Sequence, residues 1–302
     1  MDRTVTTVID SSKCIGCGLC VNVCPSQTIS MEGDKAVVSG DRSMSCGHCA
    51  AVCPVDAISV NAIDKGLYHF TTFSGDDSWL PYGEYETVDL VRLMASRRSC
   101  RNYTNRPVDR DVLEDLIKIG ITAPSGTNSQ LWTFTILPTR KTVVALGERF
   151  AVFFDKLNRI SENRYLRGFL KLIGKPELDD YFRDHHDSAR QALHEWKNSE
   201  EDRLFHGATA VILVGSKPGA SCPREDTLLA TQNILLAAHS MGLGTCLVGF
   251  AVEAMKRDIS IKRFIGIPDD ERIYSVIALG YPDEPYQRLT GRKRFVQRYY
   301  EV

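Results

Sequence analysis

The chain has 302 residues, 43% of them hydrophobic and 25% charged, with a formal net charge of -1. A chain of this size buries a large core in one or two domains, and its balanced charge gives no basis for binding nucleic acid or an anionic membrane. No stretch approaches the ~20 apolar residues that cross a bilayer, and the opening MDRTVTTVID lacks the apolar centre of a secretory signal, so the cytoplasm is the expected compartment.

Residues 1–64 read as one unit built on a repeat. The first cysteine run is Cys14-x2-Cys17-x2-Cys20-x3-Cys24-Pro25, and the second is Ser43-x2-Cys46-x2-Cys49-x3-Cys53-Pro54, offset by 29 residues. Segments 17–30 and 46–59 share eight identities in fourteen positions. Without a secretory signal, such clustering points to metal binding rather than disulfides. Thiolates at these spacings, each run closed by Cys-Pro, are the ligand pattern of paired bacterial-type 4Fe-4S clusters and fit a structural zinc site poorly.

In two-cluster ferredoxins the last cysteine of each run serves the other cluster. That assigns Cys14, Cys17, Cys20 and Cys53 to one complete cluster, and Cys24, Cys46, Cys49 and Ser43 to its partner. Three outcomes stay open for the second: ligation by the Ser43 alkoxide, replacement by water or a nearby group (with a 3Fe-4S cluster as one result), or no cluster. His48 and Asp41 are the nearby candidates, each also readable as a surface residue. A unit this small has little apolar core, so its clusters must supply much of its folding energy.

Between the runs, residues 29–39 predict a hairpin turning at Gly33-Asp34. Residues 65–86, rich in Gly, Asp, Ser and aromatics, form a linker that packs against something. From 87 to 302 the texture is mixed. Thr87 is placed to cap a helix to Ser96, and Asp109 a second helix. Strands are expected at 131–137, 208–214 and 274–279, with a charged helical insertion over 140–206 broken near Gly174-Lys175-Pro176. Residues 225–241 form a helix apolar nearly all round, suited to a core or a subunit interface and ended by Gly242. The fold class is α+β, a mostly antiparallel sheet flanked by helices.

Arg97, Arg98, Ser99 and Arg101 place three guanidiniums and a hydroxyl within five residues, which suits bidentate phosphate recognition, though a solvated helix end reads equally well. Residues 123–134 (APSGTNSQLWTF), 242–250 (GLGTCLVGF) and Arg292-Lys293-Arg294 complete a set of four boxes. In this order they resemble the FMN-dependent nitroreductase family, over about residues 87–302, and the whole chain resembles that family's ferredoxin-fused branch.

The resemblance implies that Arg97, Arg98, Ser99 and Arg101 hold the FMN phosphate and ribityl chain, joined by Arg292 and Arg294. It implies that Pro124, Ser125, Gly126 and Asn128, with Gln130 beside them, reach the flavin of the other subunit of a homodimer, and that backbone groups of Leu247, Val248 and Gly249 face the ring. Leu131 departs from the family, where proline often precedes the tryptophan, and the 140–206 insertion exceeds the minimal family and would shape the flavin pocket. Cys100 and Cys246 read as packing residues, Cys222 as no metal ligand, and His206 as able to approach the flavin yet more in keeping with a structural histidine.

The implied activity is an iron–sulfur flavoprotein oxidoreductase. Electrons from a low-potential donor such as ferredoxin pass through the clusters to FMN and on to a small organic acceptor: a nitroaromatic, quinone or activated alkene. The alternatives are an NAD(P)H-dependent nitroreductase or quinone reductase whose clusters exchange electrons with a partner, and an electron-carrier or redox-sensing flavoprotein without a dedicated substrate. A deep pocket lined by the insertion favours an enzyme. No catalytic acid or base can be named from the sequence.

Overall fold

The computed structural model describes residues 2–198 and 201–301. The N-terminal unit is built twice over. Strand β1 (Thr7–Ile9) pairs antiparallel with β4 (Ile58–Val60), and β2 (Ile29–Glu32) with β3 (Lys35–Val38). Two one-turn helices, α1 (Leu19–Asn22) and α2 (His48–Ala51), start from Gly18 and Gly47 at φ 73° and 76°. The hairpin of β2 and β3 turns on Gly33 as expected.

The segment 65–86 is less irregular than its composition implies. Lys65–Tyr68 makes a 3-10 turn capped by Asp64, and Phe70 stacks on Phe73. Its anchor is Asp115, a fully buried carboxylate whose Oδ2 accepts from the Thr71 and Thr72 amides and from Thr72 Oγ1 at 2.7 to 2.9 Å. Lys118 adds a donor to the His69 carbonyl. Asp115 went unnoticed in the sequence because it lies on an amphipathic helix whose other inward residues are apolar.

The C-terminal part is α+β. Helices α3 (Thr87–Ser96) and α4 (Arg110–Gly120) precede β5 (Trp132–Leu137). The insertion follows as α5 (Arg140–Ser161), α6 (Arg164–Leu172), α7 (Glu177–Asp184) and α8 (His186–Lys197). Then come β6 (Ala210–Ser216), α9 (Pro223–Ser240), β7 (Gly244–Leu247), α10 (Gly249–Arg257), α11 (Ile259–Phe264) and β8 (Arg272–Gly280). Two expectations change here. The flanking residue of α3 is Glu86, with Thr87 already helical. Residues 242–250, where no strand was expected, contain β7 and the start of α10, because Thr245, Cys246 and Leu247 pair with Leu279, Ala278 and Ile277.

The strand order is β5-β6-β8-β7, every ladder antiparallel. Alternation along β6 divides the core: Val211 and Leu213 face a layer containing α5, α10 and α11, while Ala210, Ile212 and Val214 face α4 and α9. Helix α9 opens with Pro223 in its first turn and Glu225 and Asp226 behind it, and the chain leaves it through Gly242 at φ 78°. The insertion closes on itself at its base, where Arg140 Nη1 lies 2.7 Å from Asp202 and that carboxylate accepts from the Leu204, Phe205 and Gly207 amides. Among the described residues no helix is long and apolar enough to cross a membrane.

Replacing Asp115 takes away the acceptor of the Thr71 and Thr72 amides and leaves a gap in a fully buried position. Asp115→Ala is expected to cost about 3 kcal/mol of stability in chemical denaturation, with Thr71 and Thr72 amides losing exchange protection. Asp115→Asn, which keeps one carbonyl oxygen, should lose roughly half as much.

Candidate redox and flavin sites

The two halves of the N-terminal unit present the same backbone. Gly16 (φ 70°) answers to Ser45 (φ 48°), and Gln27 (φ 52°) to Asp56 (φ 48°), so three of these four left-handed positions are held without glycine. The folded loops gather the candidate ligands in two places. Cys14, Cys17, Cys20 and Cys53 surround one space, and Cys24, Cys46, Cys49 and Ser43 another. Backbone amides aim at the sulfurs: Ala57 N lies 3.2 Å from Cys53 Sγ and Thr28 N 3.3 Å from Cys24 Sγ. The Ala36 amide, with that of Gly16, holds the Cys14 thiol below its ordinary pKa, favouring the thiolate that binds iron. These donor sets fit two iron–sulfur clusters.

Ser43 is 8% exposed, and its Oγ accepts from the Ser45 amide at 3.0 Å. Of the two substitute candidates, His48 lines the second space with Nδ1 2.8 Å from Cys46 Sγ, whereas Asp41 is exposed and does not line it.

The arginine box leaves α3 in extended conformation and is tied to an edge of the sheet. Ser99 bridges Thr245 on β7, and Cys100 N donates to Thr245 O at 2.9 Å. Cys100 packs against Gly244, where a Cβ would stand 2.7 Å from its sulfur, and burial pushes its thiol up to about 11. Cys246 is likewise buried and raised. Both are packing residues, as expected. The terminal segment returns to this box: Glu284 accepts from Arg101 N and Asn102 Nδ2, and Arg98 Nη1 donates to Thr290 Oγ1 at 2.7 Å. Arg292 and Arg294 follow closely in the chain and are exposed. Glu284 was invisible in the sequence, standing in a proline-rich turn that matches no motif.

Of the trio expected at the flavin ring, Leu247 is 49% exposed and Gly249 is exposed, while the Val248 side chain is 3% exposed and packs into the core. Between the insertion and α10 lies a half-open cavity of about 670 Å³, lined by Phe153, Phe154, Leu157, Tyr181 and Leu193 and bounded by Gly249 and Phe250.

The 123–130 box lies elsewhere. Thr127, Asn128 and Gln130 all have φ between 47° and 55°, a strained run held by one carboxylate. Asp226 Oδ1 accepts from Gly126 N at 2.8 Å, its Oδ2 from Ser129 Oγ at 3.1 Å, and its carbonyl from Trp132 Nε1 at 3.0 Å. Gln130 Nε2 donates to Asn128 Oδ1, and Gln130 N to Ser125 Oγ. Pro124 is exposed. Asn128 Nδ2 donates to the carbonyls of Met44 and Ser45, at 2.9 and 3.1 Å. The loop carrying Ser43 is therefore hydrogen-bonded to the box of its own chain.

The sheet separates the two boxes. Thr245 pairs through Leu279 with Ala210 at one end of β6, whereas Trp132 pairs with Ser216 at the other end, on the opposite edge. Six residues along a strand and three strand spacings across put the boxes about 20 Å apart in one direction and about 14 Å in the other.

Two thiol-lined spaces in the N-terminal unit, and an arginine box on the antiparallel sheet that follows it, define an iron–sulfur oxidoreductase. The nitroreductase family pattern matches residues 94–281, and a 4Fe-4S dicluster domain pattern matches residues 7–60. The chain belongs to the nitroreductase family. It is 27% identical over 210 residues to 4-nitrobenzoate reductase of Pseudomonas putida, covering 66% of this chain and 87% of that one. It is 24% identical over 213 residues to iodotyrosine deiodinase of Thermotoga neapolitana, covering 70% and 97%. A nitroreductase from Desulfitobacterium hafniense, solved with bound FMN, superposes with TM-score 0.50 at 19% identity, over 68% of this chain and 97% of that one, a likeness of fold.

His206, at φ 58°, has its pKa lowered by burial and then by Arg101, against the opposing pull of Asp202, Glu201 and Glu284. The neutral imidazole is the favoured form, and protonation of it weakens the fold as pH falls through the ordinary histidine range. An anion at the arginine box offsets Arg101. Inorganic phosphate should therefore raise the His206 pKa, read from its imidazole proton shifts; an unmoved titration would place His206 outside the anion site's field.

Proposed function

We propose that this chain is an iron–sulfur flavoprotein that takes single electrons from a low-potential donor such as reduced ferredoxin and delivers them in pairs to a small organic acceptor, in the cytoplasm. Residues 1–64 are the two-cluster electron inlet, 65–86 the strap, and 87–302 the FMN-binding part with its 140–206 insertion. The observation that carries this reading is the pair of hydrogen bonds from Asn128 to Met44 and Ser45, which joins the cluster loop to the flavin box.

The clusters supply one-electron transfer and FMN, when bound, the conversion to two-electron reduction. Arg97, Arg98 and Arg101 offer planar forks to its phosphate, with the Ser99 hydroxyl and the terminal pair Arg292 and Arg294 closing round them. Leu247 and Gly249 present an uncharged strip to the ring. Helix α3 supports a homodimer sharing its flavin sites: none of its residues is buried, and Val88, Val91 and Met94 are 69%, 56% and 45% exposed. A second copy also brings the two boxes together, which one sheet keeps apart.

The cavity against Gly249 favours an enzyme over a carrier, since a carrier has no use for a largely apolar recess of substrate size. Its aromatic walls suit flat acceptors: nitroaromatics, quinones or activated alkenes. The 4-nitrobenzoate reductase among its relatives supports the first of these.

Under anaerobic conditions reduced ferredoxin should bleach the flavin at least about tenfold faster than NADH or NADPH, and the full-length Cys17→Ser/Cys20→Ser variant should lose that advantage. Equal bleaching by NAD(P)H in that variant would leave an NAD(P)H-dependent reductase instead. We further propose that Ser43 ligates the second cluster. Ser43→Cys then raises that cluster's midpoint potential in an EPR-monitored titration, because a thiolate is a softer donor than an alkoxide; an unchanged potential and signal would remove Ser43 from the iron.

A further inference from the structure

The strand order separates a chain's own arginine box from its own cluster loop. Ser99 is bridged to β7 on one edge, and Asn128 leads into β5 on the other, at the far end of the strands. The second cluster site travels with Asn128, since the Met44 and Ser45 carbonyls accept from its side chain. Asn128 is held from behind as well: Gln130 donates to its Oδ1, and Asp226 fixes the turn through Gly126 and Ser129. The loop is thus bound to a constrained segment and not to a mobile tip.

We propose that the electron relay is crossed: the clusters of one chain feed the flavin held by the arginine box of its partner, with Asn128 as the positioning residue at the crossing. This rests on the flavin lying between two copies, as proposed above, and adds which chain's clusters serve which flavin. In a shared site the 123–130 box of one chain meets the arginine box of the other. The Ser43 loop bonded to that 123–130 box arrives with it, while the same chain's arginine box stays at the opposite corner of the sheet. Each reduced cluster gives up one electron and returns to its oxidised state. Two such oxidations, refilled from the ferredoxin-type donor, together with two protons from solvent, account for each acceptor reduced by two electrons. The Ser43 cluster is the exit and the Cys14 cluster the entrance, so the centre with the altered ligand set stands next to the flavin.

Two mixed dimers, isolated with distinct tags and carrying the same substitutions in different arrangements, test the crossing. In the first, one chain carries Arg97→Ala/Arg98→Ala and the other Asn128→Ala; each dimer should bind a single flavin, on the second chain, facing the intact Asn128 of the first. In the other, all three substitutions lie on one chain and its partner is unaltered, so the single flavin faces the altered Asn128. Crossed wiring predicts bleaching by reduced ferredoxin within about twofold of wild type per flavin in the first dimer and about tenfold slower in the second, the order expected for loss of two hydrogen bonds. The reverse ranking, or equal rates, would overturn it. Wild type bleached no faster by ferredoxin than by NAD(P)H would overturn the underlying function as well, and separates that failure from this one.

A readout independent of turnover uses a dimer in which the chain with the intact arginine box carries Cys46→Ser/Cys49→Ser, and its partner carries Arg97→Ala/Arg98→Ala. The second cluster and the flavin then sit on different chains. Adding FMN to the flavin-free protein should shift that cluster's EPR signal; an unmoved signal would overturn the crossing.

Discussion

The antiparallel order β5-β6-β8-β7 is the constraint on which the rest of the molecule depends. Because β5 and β7 are the two edges, whatever is attached to them faces outward on opposite sides of the C-terminal part. The arginine box is stitched to β7 through Ser99 and Cys100, and the 123–130 box runs straight into β5. A ligand that needs both boxes has to be met by two sheets. The uncovered apolar face of α3, directly before the arginine box, stands where such a meeting would bury it.

Local strain is concentrated where the two parts of the chain join. Three residues of the 123–130 box take left-handed backbone without glycine, and Ser45, whose carbonyl Asn128 grips, does the same. Such conformations persist only when their surroundings over-determine them. Here the Asp226 carboxylate and the crossed amide bonds do so. The strap adds a second tie through Asp115, a carboxylate withdrawn from water and compensated by amides of residues 71 and 72. The N-terminal unit is held to the C-terminal part by polar contacts with fixed geometry.

The insertion acts differently. It is a helical lobe closed at its base by Arg140 and Asp202, packed through Trp196 against Gly147, where no Cβ fits. Its inner wall supplies the aromatic side of the cavity, while the outer wall is charged and exposed. Variation there would alter what the cavity admits without disturbing the sheet, whose central strand β6 is buried throughout.

The sequence by itself determined the ligand chemistry and the fold class. Cysteine spacing is local information, and so are the turn glycines, the periodicity of α4 and the apolar run of β6; each depends on residues a few positions apart. The tertiary structure alone decided which boxes meet. Asn128 and Met44 are 84 residues apart, and Gly126 and Asp226 are 100 apart, so no short-range pattern couples them. The same limit hid β7, whose four residues become a strand only by pairing with β8. Nor did the sequence show that the Val248 side chain turns into the core between the exposed Leu247 and Gly249. Motifs record what each segment can bind; sheet topology records which segments can bind it together.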